Sequence, residues 1–400
     1  MQHNMRVIEI KNQEQARAEL TKIKCDPGGV AIMSNKAVYK TIKVENVLSK
    51  AALILKQTFL SKGGEASVSR GAADFSDQYT DVFLSGSLKH FKQSIPQLKV
   101  QPWGLKKLAE ELEAVIAASE KFPQRTYELG KHRLAITPEK TLVMGILNFT
   151  PDSFSDGGKF NNIDAALKHT EQMIKEGADI IDIGAESTRP YGSEKISAQE
   201  ELDRLMPVLE KVLTVASVPV SIDTYKSSVA REALKAGAHI INDIWGLQFD
   251  PEMAKVVAEY GVPVVIMHNQ EGTTYQRDIM AHVLEFLRHS IEIGESAGIS
   301  AANLIVDPGI GFGKTPSDNL VMLARLEELK SLGCPVLLGT SRKRFIGDIL
   351  NTLPSERVEG TGATVALGIM KGANIVRVHD VQAIARIARM TDAIINAKYK

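Results

Sequence analysis

The sequence predicts an α/β protein in which a (β/α)8 TIM barrel, residues 141–400, follows a small α/β domain, residues 1–125. The barrel is predicted because short apolar runs alternate with amphipathic stretches from about residue 141 onward. Eight such units within roughly 260 residues match the size of this fold. Polar residues also follow nearly every apolar run, whereas a doubly wound open sheet, the alternative fold, would concentrate them at one switch point.

The predicted barrel strands are short runs that are apolar on both faces, as expected for parallel strands covered by helices. They lie at residues 142–147, 179–183, 218–222, 239–242, 262–267, 304–306, 335–338 and 374–378. The stretches between them carry apolar residues at the helical period of about 3.6. These stretches predict helices that include residues 164–176, 198–215, 227–236, 251–259 and 276–297.

The first 125 residues show a different pattern, which predicts a smaller domain of mixed strands and helices. Strands are expected at residues 6–10, over much of 30–44 and at 81–84, and helices at 13–23, 47–61 and 105–119. Asp26-Pro-Gly-Gly29 predicts a turn, and Gly63 and Gly64 are expected to end the second helix. Residues 126–140, with Pro138 and mixed charge, are the predicted linker to the barrel.

Composition limits the classes of function and of partner. Lys+Arg and Asp+Glu number 48 each, so no net field favours nucleic acid or a membrane surface. The sequence has no apolar N-terminal segment and no run of 18 apolar residues, so neither a signal peptide nor a membrane span is predicted. Cys25 and Cys334 lie far apart and form no CxxC pair, which suits a reducing cytoplasm. Neither nucleic acid nor a membrane is therefore an expected partner.

Polar residues at the ends of the third, fourth and sixth predicted strands suggest a binding floor. These residues are Asp223, Asn242 and Asp307. The carboxyl ends of barrel strands converge on one mouth, so the three side chains are expected to lie close together. Carboxylates and amides suit a flat heterocycle with several N–H donors, because each buried donor needs an acceptor. The alternative for any single acid is that it only caps the following helix.

Arg377, His379 and Asn148 predict an anion pocket beside this floor, because the eighth strand closes on the first. Thr188 and Arg189 can reach over from the second loop. A phosphate or diphosphate is the expected guest. Asn148 together with a diphosphate would suit Mg²⁺, which takes few protein ligands. The alternative is that Arg377 pairs with Asp380 at the rim.

Two further segments contribute to the predicted mouth. Ser341-Arg-Lys343 begins a helix after the seventh strand, and the positive helix end, the hydroxyl and the lysine favour a carboxylate or carbonyl. Lys343 could instead be a solvated surface lysine. The glycines of residues 307–314 are interpreted as a tight turn that lets Phe312 cover the floor, with ordinary core packing as the alternative. His268 is expected to be a core or hydrogen-bonded histidine rather than a metal ligand.

Seven motifs at successive strand ends resemble those of dihydropteroate synthases, the folate-pathway enzymes that join a pterin to p-aminobenzoate. They are Asn148-Phe-Thr-Pro-Asp-Ser-Phe-Ser-Asp156, Glu186-Ser-Thr-Arg-Pro190, Ser221-Ile-Asp223, Ile241-Asn-Asp243, the 307–314 segment, Ser341-Arg-Lys343 and Arg377-Val-His379. The resemblance implies condensation of (7,8-dihydropterin-6-yl)methyl diphosphate with p-aminobenzoate, with Mg²⁺ as cofactor, in a cytoplasmic homodimer.

The resemblance also implies a role for individual residues. It assigns the pterin to Asp223, Asn242, Asp307, Lys343, Met267 and Phe312, and the diphosphate to Asn148, Thr188, Arg189, Arg377 and His379, with Asn148 as metal ligand. It assigns p-aminobenzoate to Phe154, Pro190 and Ser341. Asp223, Asp307, Lys343, Asp156 and Arg189 are the implied catalytic residues.

Two other functions stay open at this point. A pterin-binding methyltransferase domain would share the barrel and the floor, but it would need neither the diphosphate pocket nor the Ser341-Arg-Lys343 site. A non-catalytic pterin-binding scaffold is the second alternative. It is kept open by Tyr191, which stands where the family usually has glycine directly after Arg-Pro.

Overall fold

The computed structural model describes residues 3–120, 124–149, 159–187 and 195–397. The chain divides into two compact units, residues 1–121 and residues 122–398. Each unit has a hydrophobic core of its own. The predicted linker, residues 126–140, belongs to the second unit.

The first unit contains an antiparallel sheet of β1 (Tyr39–Leu48), β2 (Glu65–Val68) and β3 (Tyr79–Ser87), in the order β1-β3-β2. Its described helices are α1 (Gln13–Lys22), α2 (Pro27–Ala37), α3 (Ser49–Ser61), α4 (Arg70–Ala73), α5 (Leu88–Leu98) and α6 (Leu105–Glu120). Phe59 and Phe91 meet edge to face in the core, with ring centroids 5.0 Å apart. The predicted helices at residues 13–23, 47–61 and 105–119 and the strand at 81–84 are present.

Two predictions for the first unit are wrong. Residues 6–10 form no strand, and residues 27–37 form a helix rather than a turn followed by a strand. Asp26 caps this helix by accepting hydrogen bonds from the backbone N–H groups of Gly28 (2.8 Å) and Gly29 (3.2 Å), and Pro27 occupies the first helical position. An Asp-Pro sequence suits both a turn and a capped helix start. The residues after it were therefore assigned to the wrong element.

The residues predicted as a linker form a β-hairpin. Its strands are β4 (Arg125–Leu129) and β5 (His132–Ile136). The side chains of Tyr127, Leu129, Leu134 and Ile136 pack against the innermost apolar residues of the barrel strands. The hairpin therefore fills the amino-terminal end of the barrel, where an open layer of apolar side chains would otherwise face water.

The second unit is a parallel barrel, as predicted. Its described strands are β6 (Leu142–Asn148), β7 (Ile180–Gly184), β8 (Val220–Asp223), β9 (Ile240–Asp243), β10 (Val264–Met267), β11 (Leu304–Asp307), β12 (Leu337–Leu338) and β13 (Ile375–Val378). Its described α-helices are α7 (Lys159–Glu176), α8 (Ala198–Val215), α9 (Ser227–Lys235), α10 (Met253–Tyr260), α11 (Ile279–Ser296), α12 (Pro316–Ala324), α13 (Arg344–Leu350), α14 (Val358–Lys371) and α15 (Val381–Asn396).

Parallel pairing runs in the order β11-β10-β9-β8-β7-β6-β13-β12, and a parallel bridge between Val306 and Val336 closes the ring. Alternate residues of each strand point outward to the helices or inward to the barrel axis. The inward residues at the amino-terminal ends are apolar, whereas those nearer the carboxyl ends are polar or charged. Among the described helices, none is long and apolar enough to cross a membrane.

Candidate active site

The predicted floor residues lie together at the carboxyl ends of their strands. Asp223 pairs with Asn242 in the register of β8 and β9, and Met267 pairs with Asp307 in the register of β10 and β11. Each of the three polar side chains is buried. Asp223, Asn242 and Asp307 are therefore buried at the carboxyl ends of three strands of one barrel, at the mouth where the sequence predicted them.

Arg377 lies inside this layer and holds two carboxylates. Its Nε donates to Asp182 Oδ2 at 2.6 Å, and its second terminal nitrogen donates to Asp223 Oδ2 at 2.7 Å. The rim alternative is wrong, because Arg342 rather than Arg377 pairs with Asp380. The arginine thus joins the predicted pterin floor to the predicted anion pocket, with about a fifth of its side chain exposed.

Asp182 is a residue of this site that the sequence analysis did not single out. It has no exposed surface, and its Oδ2 also accepts a hydrogen bond from Asn242 Nδ2 at 3.2 Å. The sequence held a signal for it, since Asp182 is a charged residue within a strand that is otherwise apolar on both faces. A carboxylate in such a strand needs a buried partner, and here the partner is Arg377.

Three buried oxygen atoms in this region have no hydrogen-bond partner among the described residues. They are Asp182 Oδ1, Asp223 Oδ1 and Ser221 Oγ. Buried polar atoms in folded proteins are nearly always paired with protein, water or ligand. The barrel mouth therefore presents unused acceptors to a guest that carries N–H donors.

Burial changes the proton affinities of the charged groups in the mouth. It raises the pKa of Asp223 to about 7, against the opposing effect of Arg377, and the pKa of Asp307 to about 6. Burial lowers the pKa of Lys343 to about 8, and the neighbouring Arg377 lowers it further. The pKa values of Asp223, Asp307 and Lys343 therefore all lie near neutral pH.

The glycine loop, residues 307–314, forms one wall of the mouth. The Gly309 N–H donates to Asp307 Oδ1 at 2.7 Å, and Lys343 Nζ lies 4.2 Å from the centre of the Phe312 ring. Phe312 also packs against the small apolar cluster that includes Met267. Lys343 is therefore not a freely solvated lysine, and Phe312 lies beside the floor rather than in the main core.

Ser341 and His379, which follow the neighbouring strands β12 and β13, contact each other at the mouth. Ser341 Oγ lies 3.0 Å from His379 Nδ1 and accepts the His379 backbone N–H at 3.1 Å. Burial, with a further effect of Arg377, lowers the pKa of His379 to about 3. This histidine is neutral at physiological pH, so it offers an anion an N–H donor rather than a charge.

Asn148 ends β6 beside the acidic floor. A methyl group built on Gly184, its neighbour in register on β7, would lie 3.6 Å from Asn148 Oδ1 and 3.5 Å from Asp223 Cβ. The described residues hold no group of three or more His, Cys, Asp or Glu side chains that could bind a metal. The site therefore fits a Mg²⁺ ion only if substrate oxygens and water complete the ligands of Asn148.

A buried charge cluster lies at the base of the second loop. Lys226 Nζ contacts Glu186 Oε2 and Glu201 Oε2, each at 2.5 Å, and the Tyr225 hydroxyl donates to Glu186 Oε1 at 2.9 Å. Burial raises the pKa of Glu201 despite the lysine. The cluster ties the end of β7 to α8 and to the segment after β8, and sequence spacing gave no sign of it.

Comparison with known proteins identifies the family. Residues 144–379 match the family model of pterin binding enzymes. The dihydropteroate synthase of Bacillus subtilis (strain 168) is 58% identical over 258 residues, which are 64% of this chain and 90% of that protein. The chain belongs to the dihydropteroate synthases. A crystal structure of the Clostridium difficile synthase in the presence of pteroic acid is 51% identical, has a TM-score of 0.63, and covers 68% of this chain and 100% of its own.

One relative of the synthase extends the similarity beyond the barrel. The probable bifunctional folylpolyglutamate synthase/dihydropteroate synthase of Halobacterium salinarum is 38% identical over 391 residues. These residues are 96% of this chain and 46% of that protein. The similarity therefore includes the first unit, which the Bacillus relative does not match at 64% coverage of the chain.

Five of the residues that the resemblance to dihydropteroate synthases assigns to the site lie outside the described residues. They are Phe154, Asp156, Thr188, Arg189 and Pro190. Tyr191 lies outside them as well. The roles of all the predicted site residues stay predictions, and those that the structure describes lie around one barrel mouth.

Proposed function

We propose that the barrel mouth condenses (7,8-dihydropterin-6-yl)methyl diphosphate with p-aminobenzoate to give 7,8-dihydropteroate and diphosphate. The observation that carries the proposal is the set of buried carboxylates, Asp182, Asp223 and Asp307, arranged around Arg377 and Lys343. The related Clostridium difficile structure was determined in the presence of pteroic acid, a compound in which a pterin is joined to p-aminobenzoate. Membership of the synthase family favours this reaction over a methyltransferase or a scaffold.

The floor suits the pterin ring. Asn242 uses its N–H to bond Asp182, so its carbonyl oxygen is left to accept from the ring, as are the unpaired oxygen of Asp223 and the carboxylate of Asp307. Lys343 can donate to a ring oxygen or nitrogen. Met267 and Phe312 offer apolar surface to the flat faces of the ring.

The same charges suit the bond changes of the reaction. The arylamine nitrogen forms a bond to the pterin methylene carbon and loses a proton, while the bond from that carbon to the diphosphate oxygen breaks. Positive charge that develops on the pterin lies near Asp223 and Asp307, and the leaving diphosphate lies near Arg377 and His379. Fixed charges and dipoles that match the developing charges lower the barrier.

We propose Mg²⁺ as the cofactor, held by Asn148 and by the diphosphate. The ion would neutralise charge on the leaving group. The proposal is supported by the position of Asn148 Oδ1, which lies near Asp223 at the mouth.

We also propose that the protein is a cytoplasmic homodimer. The helices α12, α13 and α14 pack against one another, and each exposes large apolar side chains. These are Leu320, Val321, Ile349, Leu350, Leu367 and Met370. Exposed apolar surface shared by neighbouring elements is typical of an interface. Light scattering after gel filtration tests the dimer, and Leu367→Glu with Met370→Glu should give a monomer.

The first experiment is to measure diphosphate release from the pterin substrate with Mg²⁺, with and without p-aminobenzoate, while the condensed product is followed. Release coupled to product supports the proposal, and loss of both with EDTA that is reversed by Mg²⁺ supports the cofactor. Pterin binding without product would favour the scaffold instead.

A further inference from the structure

The glycine loop is fastened by the lysine at its end. Lys314 is only 5% exposed, and its Nζ lies 2.8 Å from His268 Nδ1 and 3.0 Å from the carbonyl oxygens of both Gly309 and Phe312. A lysine ammonium has three N–H donors and accepts nothing. All three donors are therefore used, and two of them are used on the loop itself.

The hydrogen bonds of Lys314 reach the two loop residues that shape the floor. The backbone N–H of Gly309 donates to Asp307 Oδ1 at 2.7 Å, so the position of Gly309 sets the direction of that carboxylate. Phe312 lies with its ring 4.2 Å from Lys343 Nζ. The Phe312 N–H also donates to the Gly309 carbonyl at 3.1 Å, so both carbonyls that Lys314 binds belong to one tight turn.

The remaining contacts of the loop lie on its other residues. Gly311 N–H donates to Asn319 Oδ1 at 2.6 Å, and the Tyr275 hydroxyl donates to the Gly313 carbonyl at 2.8 Å. Neither contact holds Gly309 or Phe312. Among the described side chains, Lys314 is the one that hydrogen-bonds the backbone carbonyl groups of both Gly309 and Phe312.

We propose that Lys314 is a positioning residue, whose buried ammonium holds Gly309 and Phe312 so that the Asp307 carboxylate and the Phe312 ring face the pterin. This inference rests on the proposed function, because it assumes that a pterin occupies the floor. The three donors of Lys314 are used on His268, Gly309 and Phe312, so the lysine is not assigned a contact with the reacting carbon or the leaving group. Lys314 acts on the floor in two ways, by holding the loop in position and by its charge.

Burial lowers the pKa of Lys314 to about 7, and in its protonated form the lysine also acts on Asp307. The groups that face the lysine are Asp307, Lys343, Asp318, and the histidines His268 and His282. Burial lowers the pKa of His268 to about 2, so this ring is neutral and accepts from the ammonium. Burial raises the pKa of Asp307. The hydrogen bond from the Gly309 N–H lowers it, and the charges of Lys343, Arg377 and Lys314 lower it further. Loss of the Lys314 charge should therefore raise the pKa of Asp307.

The test compares Lys314→Met, which removes the charge and the donors, with Lys314→Gln, which keeps neutral N–H donors. Lys255→Met is the matched control, because Lys255 is an exposed lysine paired only with Glu252 along one helix. Three quantities are measured in the full-length protein. They are hydrogen exchange of the 309–312 amides, the KM values for both substrates, and the pH dependence of kcat/KM.

For Lys314→Met we expect faster amide exchange, a rise of about tenfold or more in the KM for the pterin substrate, which corresponds to about 1.4 kcal/mol, and a smaller change in the KM for p-aminobenzoate. The acid limb of kcat/KM should move to higher pH. Lys314→Gln should recover part of the exchange protection but not the position of the acid limb. Lys255→Met should match the wild type.

The inference is overturned if Lys314→Met lowers only the melting temperature. Amide exchange, the KM values for the two substrates and the acid limb of kcat/KM would then all be as in the wild type. If the methionine variant does not fold, the glutamine variant decides through the acid limb. Wild-type protein that fails to bind the pterin substrate contradicts the proposed function, and the exchange measurement then still tests the attachment of the loop.

Discussion

At the scale of single residues, the site is defined by charged groups that are buried in contact with one another. Arg377 divides its donors between Asp182 and Asp223. Each carboxylate keeps one buried oxygen without a partner in the described structure. Removing water from such groups is costly unless partners replace it. A guest with N–H donors in the mouth would supply the partners that the protein lacks.

Asp223→Ala should lower kcat on the order of a hundredfold, a loss typical of removing one preorganised electrostatic group. The affinity for diphosphate should change little, because Arg377 keeps Asp182 as a partner and loses a competitor for its terminal nitrogen. Steady-state kinetics and calorimetric titration with diphosphate measure the two effects. Asp203→Ala, at an exposed position on α8, is the control. An unchanged kcat would remove Asp223 from the mechanism.

The pH dependence of kcat/KM for the pterin substrate should be bell-shaped. Ionised Asp223 and Asp307 are needed, and their raised pKa values of about 7 and about 6 place the acid limb there. Protonated Lys343 is needed, and its lowered pKa of about 8 places the alkaline limb there. Activity is thus lost as the pH falls through the pKa values of Asp223 and Asp307, and again as the pH rises through the pKa of Lys343. A flat profile between pH 5 and pH 9 (roughly the range that these groups span) would contradict the assignment.

At the scale of elements, the strands place the floor residues at the barrel mouth, and the loops after the strands form the walls of the site. Inward positions on β8, β9 and β11 carry the floor residues, because side chains alternate along a strand. The turn after β11 depends on glycine. Gly309 has φ +67°, and a methyl group built on it would lie 1.9 Å from the His268 carbonyl oxygen.

Gly309→Ala should therefore destabilise the barrel by about 3 kcal/mol or more and weaken pterin binding. A left-handed residue with a side chain costs about 1–2 kcal/mol by itself, and the clash with His268 adds to this. Gly261→Ala is a matched control, since Gly261 has φ +65° with open space around it, and its cost should stay at about 1–2 kcal/mol. Urea unfolding measures both variants. Equal losses would mean that the loop moves away from His268 freely.

At the scale of the whole molecule, the chain consists of two units with separate cores. The match to the Bacillus synthase covers 64% of this chain and 90% of the Bacillus protein. The barrel unit therefore corresponds to nearly the whole of that relative. The hairpin of β4 and β5 belongs to the barrel unit and covers its amino-terminal end.

A shortened protein that begins at residue 122 should fold and keep a kcat within about threefold of the full chain, because its core and every described site residue lie in the second unit. A second truncation that begins at residue 141 removes the hairpin and should be unstable, since it exposes the apolar layer beneath the floor. Circular dichroism and steady-state kinetics test both. Loss of activity in the first truncation would assign the N-terminal unit a part in catalysis.

The sequence by itself determined the barrel, its strand order and the position at the strand ends of ten predicted site residues, because apolar runs with polar ends report which residues are buried and where strands stop. The sequence led to a wrong prediction at residues 27–37, where a turn and a strand were expected instead of a helix. An Asp-Pro pair suits a turn as well as a helix cap. Only the tertiary structure decided that Arg377 binds Asp182 and Asp223, that Lys314 holds the glycine loop, and that residues 125–136 form a hairpin beneath the barrel. These contacts join residues far apart in the chain, and their partners depend on distances in space that local sequence patterns do not contain.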